Sequence, residues 1–157
     1  MKKVLIFFVI LALCTSAIAE TEYYKSDLFF LYFGKGWKLF NPENNTYQNG
    51  NQFLIIQETP CNTGGKGMVA LFGKLVYEAA ILELFEGTGY LSSEVIEKDG
   101  HIIPLIVLSH VNFDWSVISF VLGENAALLV AYVDRTKPDY HTMKERMVEI
   151  MLNASAR

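Results

Sequence analysis

The dipeptide Asp99-Gly100 separates two runs of residues with a strong strand pattern, and it constrains the fold more than any other feature of the chain. Residues 90–98 alternate between apolar and polar side chains, and residues 101–111 contain the apolar stretch Ile102 to Leu108. An Asp-Gly pair favours a two-residue type I′ turn, in which both central residues have positive φ. The sequence therefore predicts an antiparallel hairpin whose second strand is buried on both faces.

Two further strands are predicted to extend this hairpin. Residues 115–122 and 126–133 are rich in β-branched and aliphatic side chains, and Gly123-Glu124-Asn125 separates them. Short connections between successive strands favour antiparallel neighbours. Together with the hairpin they predict a four-strand antiparallel meander.

The first part of the chain predicts three more strands. Residues 27–33 and 37–40 are apolar and aromatic, and Gly34-Lys35-Gly36 between them predicts a hairpin with a glycine-tolerant turn. Residues 41–51 carry Pro, Gly and several Asn, which is typical of a loop. Residues 52–57 predict a third short strand.

Two helices are predicted from apolar residues at spacings of three and four. The first covers residues 68–86 and ends before Gly87. The second starts at Pro138 and carries Met143, Met147 and Ile150 on one stripe. The predicted fold class is therefore α+β: an antiparallel sheet, made of an N-terminal hairpin and a four-strand meander, sandwiched by two helices.

Residues 1–19 are typical of a secretory signal peptide that is removed after Ala19. Two lysines precede the apolar run Val4 to Leu13, and Ala17-Ile18-Ala19 fits the small-residue cleavage pattern. The run is too short to span a bilayer. We therefore expect one α+β domain over residues 20–157, a periplasmic or secreted location, and no membrane span after removal of the leader.

The two cysteines have different expected roles. Cys14 fits a bacterial lipidation signal only in part, because Leu13 stands where a small residue is usual, so we interpret it as part of the leader. Cys61 is then the lone cysteine of the mature chain and has no intrachain partner. It could be a buried small side chain, a reactive thiol, or the link of a disulfide-bonded dimer.

The charge balance and the motifs exclude several classes of partner and cofactor. The chain has 17 acidic and 13 basic residues, whereas nucleic-acid binding requires a surplus of Lys and Arg. The three histidines and the cysteines show no metal-ligand spacing, and we expect no cofactor. No pair of acids is singled out for catalysis, so we do not expect an enzyme.

The loop before the first predicted helix is a candidate binding site. It is rich in glycine but lacks the Ser or Thr that follows the lysine of a phosphate-binding Walker loop. Backbone amides beside a lysine at a helix start could bind an anion, and the dipole there would favour a thiolate. The candidate residues are Cys61, Asn62, Gly64, Gly65 and Lys66.

Aromatic residues are crowded near the start of the predicted mature chain. Both faces of one short hairpin cannot all enter a single core, so some of these rings should form a partner surface or line a groove, with Tyr32 and Trp37 as candidates. The crowded aromatics are Tyr23, Tyr24, Phe29, Phe30, Tyr32, Phe33, Trp37 and Phe40.

The order of elements on an exported chain resembles the PsbP/DcrB-like superfamily. The resemblance is carried by Gly36-Trp37-Lys38, the helix Leu71 to Phe85, the strands His101 to Val111 and Trp115 to Leu122, and the closing run Met147 to Ser155. It implies a central antiparallel sheet with helices on both faces. Members of this superfamily are mostly non-enzymatic: extrinsic photosystem II subunits, a Ran-binding protein and an envelope lipoprotein. The resemblance therefore implies no catalytic motif.

Three functions follow as hypotheses. The first is an exported cell-envelope binding or adaptor protein of unknown partner, which acts through an aromatic surface. The second is a small-ligand module, with an apolar cavity between the sheet and the helix 68–86. The third is an enzyme that uses the Cys61 thiol or a carboxylate.

Overall fold

The computed structural model describes residues 20–60, 88–110 and 116–157. These residues form nine strands and one helix, α1 (Tyr140–Met151). The strands are β1 (Glu20–Lys25), β2 (Phe29–Asn41), β3 (Thr46–Asn49), β4 (Gln52–Pro60), β5 (Thr88–Lys98), β6 (His101–His110), β7 (Ser116–Leu122), β8 (Ala126–Asp134) and β9 (Ala154–Ala156).

All nine strands belong to one antiparallel sheet. Its order is β1-β2-β3-β4-β8-β7-β6-β5, and β9 pairs with β2 in addition. The predicted fold class, a sheet sandwiched by two helices, is wrong, because the fold is mostly a nine-stranded antiparallel sheet. The described residues contain a single helix, and the predicted helix 68–86 lies outside them.

In the second half of the sheet, the turn predicted at Asp99-Gly100 is present. Asp99 and Gly100 have φ values of 51° and 77° and join β5 to β6, with Lys98 opposite His101. β6 pairs in turn with β7, and β7 with β8. All nine residues of β8 are buried, which agrees with its central place in the sheet.

The first half corrects the predicted hairpin at Gly34-Lys35-Gly36. β2 continues through these three residues and pairs with β1 on one side. Between the pairs Thr21–Trp37 and Tyr23–Tyr32, β1 advances two residues while β2 advances five. The glycines, with φ values of 93° and 86°, therefore form a wide bulge inside one strand and not a turn between two.

Side chains from two other elements hold the backbone on both sides of this bulge. The amide nitrogen of Asn49 donates to the Lys35 carbonyl at 3.4 Å, and the Arg146 guanidinium donates to the Phe33 carbonyl at 3.4 Å. The part of β2 before the bulge reaches the turn after β7. There a ring carbon of Phe29 lies 3.1 Å from the place that a Cβ on Gly123 would take.

Helix α1 packs on one face of the sheet, which we call the inner face, and the opposite face is the outer face. The helix begins at Tyr140 and not at Pro138 as predicted. Asp139 is its N-cap, because the Asp139 carboxylate accepts from the Thr142 amide at 3.0 Å. Met143 and Met147 of the predicted stripe are fully buried against the sheet. Among the described residues, no helix combines the length and the apolar character needed to cross a membrane.

Candidate binding surface

The aromatic residues of β1 and β2 are divided between the two faces of the sheet. Phe29, Phe33 and Trp37 face inward and are at most 3% exposed. Tyr23, at 51%, and Tyr32, at 39%, face outward. Successive side chains of a strand point to opposite faces, so the excess of aromatic residues in this segment leaves rings in solvent. This exposed apolar area is the candidate binding surface.

Three outward rings form a group that joins β1 and β2. Tyr23 lies opposite Tyr32 in the ladder, and its ring stacks on Phe30 with centroids 5.8 Å apart and planes 27° apart. The Tyr32 hydroxyl donates to Glu22 at 3.4 Å. We call Tyr23, Phe30 and Tyr32 the β1–β2 aromatic group.

A second group lies further along the sheet. The Phe40 ring, 59% exposed, meets the edge of the Phe53 ring on β4 with centroids 6.0 Å apart. The Arg135 guanidinium lies 4.7 Å from the centroid of Phe53, within the range of a cation–π contact. Sequence reasoning missed Phe53, because the apolar residues of the predicted strand 52–57 do not by themselves indicate which of them face outward. In the structure Phe53 lies on the same face of β4 as Ile55, which packs against Ile118 and its neighbours.

Trp37 lies in the core and not at the surface. Its ring packs edge-on against Phe33 with centroids 5.8 Å apart, and Phe33 also contacts Tyr47 at 5.0 Å. Trp37 is 0% exposed, and its indole nitrogen has no hydrogen-bond partner among the residues that the structure describes. A partner on the outer face would therefore touch Tyr32 but not Trp37, although the sequence suggested both.

A polar cluster that sequence reasoning did not identify links edge strand β5 to α1. Lys144 lies 2.7 Å from Glu94, and the Tyr140 hydroxyl donates to the same carboxylate. The pKa of Glu94 is lowered, mainly by the hydrogen bond from Lys144 and also by the one from Tyr140. The pKa of Tyr140 is raised, mainly by burial and also by its hydrogen bond to Glu94. These groups are 46 and 50 residues from Glu94 in sequence, so no local motif could indicate them.

A buried carboxylate at the end of β8 fixes the connection to α1. Asp134 accepts from the amide and hydroxyl of Thr136 at 2.8 and 2.7 Å, and from Gln52 and Tyr132 at 3.2 and 3.3 Å. Burial alone would raise the pKa of Asp134, but these hydrogen bonds together lower it. The carboxylate is surrounded by donors from its own chain, which is typical of a structural role.

One tyrosine ties β1 to the far end of β4. The Tyr24 hydroxyl donates to Glu58 at 2.8 Å. Burial, followed by this hydrogen bond, raises the pKa of Tyr24 to about 12, so the hydroxyl remains protonated and bound to Glu58 at neutral pH.

The other predicted site residues lie outside the described part of the chain. Cys61, Asn62, Gly64, Gly65 and Lys66 fall between β4 and β5, in the segment that the structure does not describe. The cavity predicted beside helix 68–86 also falls there. In the described ranges no three His, Cys, Asp or Glu side chains are grouped to hold a metal ion.

Comparison with known proteins gives a likeness of fold. No protein-family model matches the chain, and no curated protein sequence matches it. A protein of known structure from Bacteroides thetaiotaomicron VPI-5482 is 13% identical with a TM-score of 0.49, over 88% of this chain and 49% of that one, and we base no argument on it.

The second structure is the solution structure of cyanobacterial PsbP (CyanoP) from Synechocystis sp. PCC 6803. It matches with a TM-score of 0.54 and 12% sequence identity, over 91% of this chain and 96% of that one. The resemblance inferred from the sequence is thus confirmed at the level of fold. By its fold this chain is similar to PsbP, and at 12% identity the likeness establishes the fold alone.

Proposed function

We propose that this chain is an exported binding or adaptor protein of the cell envelope, and that the outward aromatic groups of β1, β2 and β4 contact its partner. The leader pattern of residues 1–19 supports export. The partner class that we favour is a protein, because aromatic side chains carry much of the binding energy of protein interfaces.

The observation that carries this proposal is the exposure of Tyr23, Tyr32 and Phe40, at 51%, 39% and 59%, on one face of the sheet. Large exposed apolar side chains that occur together mark interaction surfaces more often than single ones do. The stacking of Tyr23 on Phe30 and the Phe40–Phe53 contact hold two of these rings in place before binding. Such preorganisation reduces the entropy that association costs.

The experiment is affinity capture from envelope extract with wild-type protein and with three variants, Tyr23→Ser, Tyr32→Ser and Phe40→Ser. Mass spectrometry then quantifies each recovered protein. We expect one partner whose recovery falls about tenfold with at least one variant, as for an interface hot spot. The matched controls are Val95→Ser and Ile102→Ser, which remove exposed apolar side chains at 51% and 48% exposure from β5 and β6.

Two outcomes would contradict the proposal. If the partner is recovered from all five variants in the same amount as from the wild type, the aromatic groups do not contact it. Equal loss with the Val95 and Ile102 controls would show general stickiness of the apolar surface. Circular dichroism of each variant verifies that the fold is retained.

A further inference from the structure

Strand β1 forms one edge of the sheet. Among the described residues it pairs with β2 alone, so within that part of the chain its other side has no strand partner. An open edge of this kind can add a strand from another chain unless its charges, a proline or a mismatch of side-chain faces prevents it. β1 contains no proline, and its charged residues are Glu20, Glu22 and Lys25.

The side chains of β1 lie on the two faces of the sheet in an order that is the same from residue 20 to 25 as from residue 25 to 20. Thr21 and Tyr24 face inward, since they lie opposite the buried Trp37 and Leu31. Glu20, Tyr23 and Lys25 face outward, opposite Lys38, Tyr32 and Phe30. Glu22 is also on the outer side, where it accepts from the Tyr32 hydroxyl.

The register shift between Thr21 and Tyr23 produces this pattern. From residue 20 to residue 25 the side chains lie outer, inner, outer, outer, inner and outer. Two antiparallel strands must place opposed side chains on the same face of the sheet. In a regular six-residue strand, strict alternation puts the first and last side chains on opposite faces, so two copies paired about the midpoint would oppose an outer to an inner side chain. The irregularity in β1 puts Glu22 and Tyr23 on the same face, so every opposed pair shares a face.

We propose that two copies of this chain associate through antiparallel pairing of β1 with β1 about a two-fold axis. The axis passes between Glu22 and Tyr23, so that Glu20, Thr21 and Glu22 of one copy lie opposite Lys25, Tyr24 and Tyr23 of the other. The interface is isologous, and it joins the two sheets into one.

Charge complementarity identifies the second copy as the occupant of this edge. In the paired register each Glu20 lies opposite Lys25 of the other copy, twice per dimer. Glu22 lies opposite Tyr23, and Thr21 opposite Tyr24, so no two side chains of like charge are directly opposed. Opposite charges across neighbouring strands stabilise pairing, whereas like charges weaken it. The pairing also brings the β1–β2 aromatic groups of both copies side by side on the outer face.

The test is sedimentation velocity of the secreted protein between about 5 and 500 µM, a range suited to a small interface. A reducing agent is present throughout, so that a disulfide through Cys61 cannot hold the dimer. We expect a reversible monomer–dimer equilibrium. Lys25→Glu, which opposes acids at both pairs, should weaken association about tenfold or more, and Glu20→Lys should do the same.

The double variant Glu20→Lys with Lys25→Glu restores both pairs with exchanged signs, and it should dimerise within about threefold of the wild type. Within one chain Glu20 also lies opposite Lys38, and Glu20→Lys changes that pair equally in the single and the double variant. If the double variant regains the dimer affinity, the cause is therefore the contact between copies. Lys98→Glu is the matched control, since it makes the same charge reversal on the other edge strand, β5, and should leave association unchanged.

Three results would overturn the proposal: a monomer at every concentration with reductant present, a dimer insensitive to Lys25→Glu, or an equal loss with Lys98→Glu. A dimer that forms only when reductant is left out would be a disulfide-linked dimer through Cys61, so it falls under the first of these results. The association does not depend on the envelope partner proposed above, so either proposal can fail while the other stands.

Discussion

At the scale of single residues, the positions of glycines and aromatic residues were readable from the sequence, but their consequences were not. Gly34 and Gly36 were predicted to form a hairpin turn, because positive φ is required there. A wide bulge requires the same positive φ, and the structure uses the glycines for that purpose. Only the identity of the neighbouring strands distinguishes the two, and short-range sequence patterns do not contain that information.

Gly36→Ala should destabilise the protein by about 1–3 kcal/mol, because a non-glycine residue is strained at positive φ. Gly36 has φ of 86°, and an added Cβ would lie 3.1 Å from the Asn49 side chain that holds the bulge. Urea unfolding measures the change.

Gly50→Asn is the control for this substitution. Gly50 has φ of 59° with nothing near the added Cβ, and asparagine tolerates this region of backbone space. Its free energy of unfolding should change by less than about 0.5 kcal/mol. Equal effects at both positions would contradict the role assigned to the bulge.

Glu94 should make the stability depend on pH in the acid range. Its pKa in the folded state lies below the ordinary 4.5, because Lys144 and Tyr140 bind the carboxylate. A lowered pKa adds stability above the unfolded-state value, and this contribution is lost as the pH falls through the folded-state value. The wild type should therefore exceed Glu94→Gln in stability at pH 7, and the difference should shrink below pH 4.5.

Urea unfolding of both proteins from pH 7 to pH 3 measures this difference. Because the ion pair is partly exposed, we expect it to be at most about 1 kcal/mol. Glu97→Gln, which removes another carboxylate from the same strand, is the control. A constant gap between wild type and Glu94→Gln at all pH values would rule out the linkage.

At the scale of elements, the sequence predicted correctly those helices and turns whose structure depends mainly on their own residues. The stripe of α1 was readable because Met143 and Met147 recur at helical spacing, and both are fully buried. The start of the helix was misplaced at Pro138, because proline favours a first helical position while Asp139 competes as the cap. The Asp99-Gly100 hairpin was readable for a similar reason, since its turn chemistry is local.

Met147→Ala should lower the free energy of unfolding by about 2–5 kcal/mol, since truncation of a fully buried side chain removes contacts and leaves a cavity. Met147 is 0% exposed in the core between α1 and the inner face. Val95→Ala, at a position 51% exposed, is the control and should change stability by less than about 0.5 kcal/mol. Chemical unfolding followed by circular dichroism compares them, and similar values for both would argue against α1 as a core element.

At the scale of the whole molecule, short polar strands escaped sequence reasoning. β3, Thr46–Asn49, lies in a segment predicted as a loop, and no strand was predicted where β9, Ala154–Ala156, lies. Neither has enough apolar alternation to indicate a strand, and each is a strand because β2 supplies its hydrogen-bond partners. Likewise, the crowding of aromatics predicted an exposed surface, but the division between buried Trp37 and exposed Phe40 depends on the register around the bulge.

Removal of the leader should leave Glu20 as the first residue. The cut is predicted after Ala19, and Glu20 belongs to β1, so the mature chain would begin in the sheet. Intact-mass analysis of the secreted protein measures the cleavage position. Ala19→Arg, which places a large charged residue at the cleavage site, should retain the leader, and an unchanged mass would contradict the assignment.

The pairing around β2 has a consequence for how an exported chain reaches its final state. Leu31 lies between Tyr24 of β1 and Ala154 of β9, so an early strand receives one of its partners from the last few residues. If the chain is exported as proposed above and crosses a membrane from its amino terminus, that flank of β2 stays unpaired until β9 has crossed. An open strand edge favours aggregation, and the arrival of β9 would close this one.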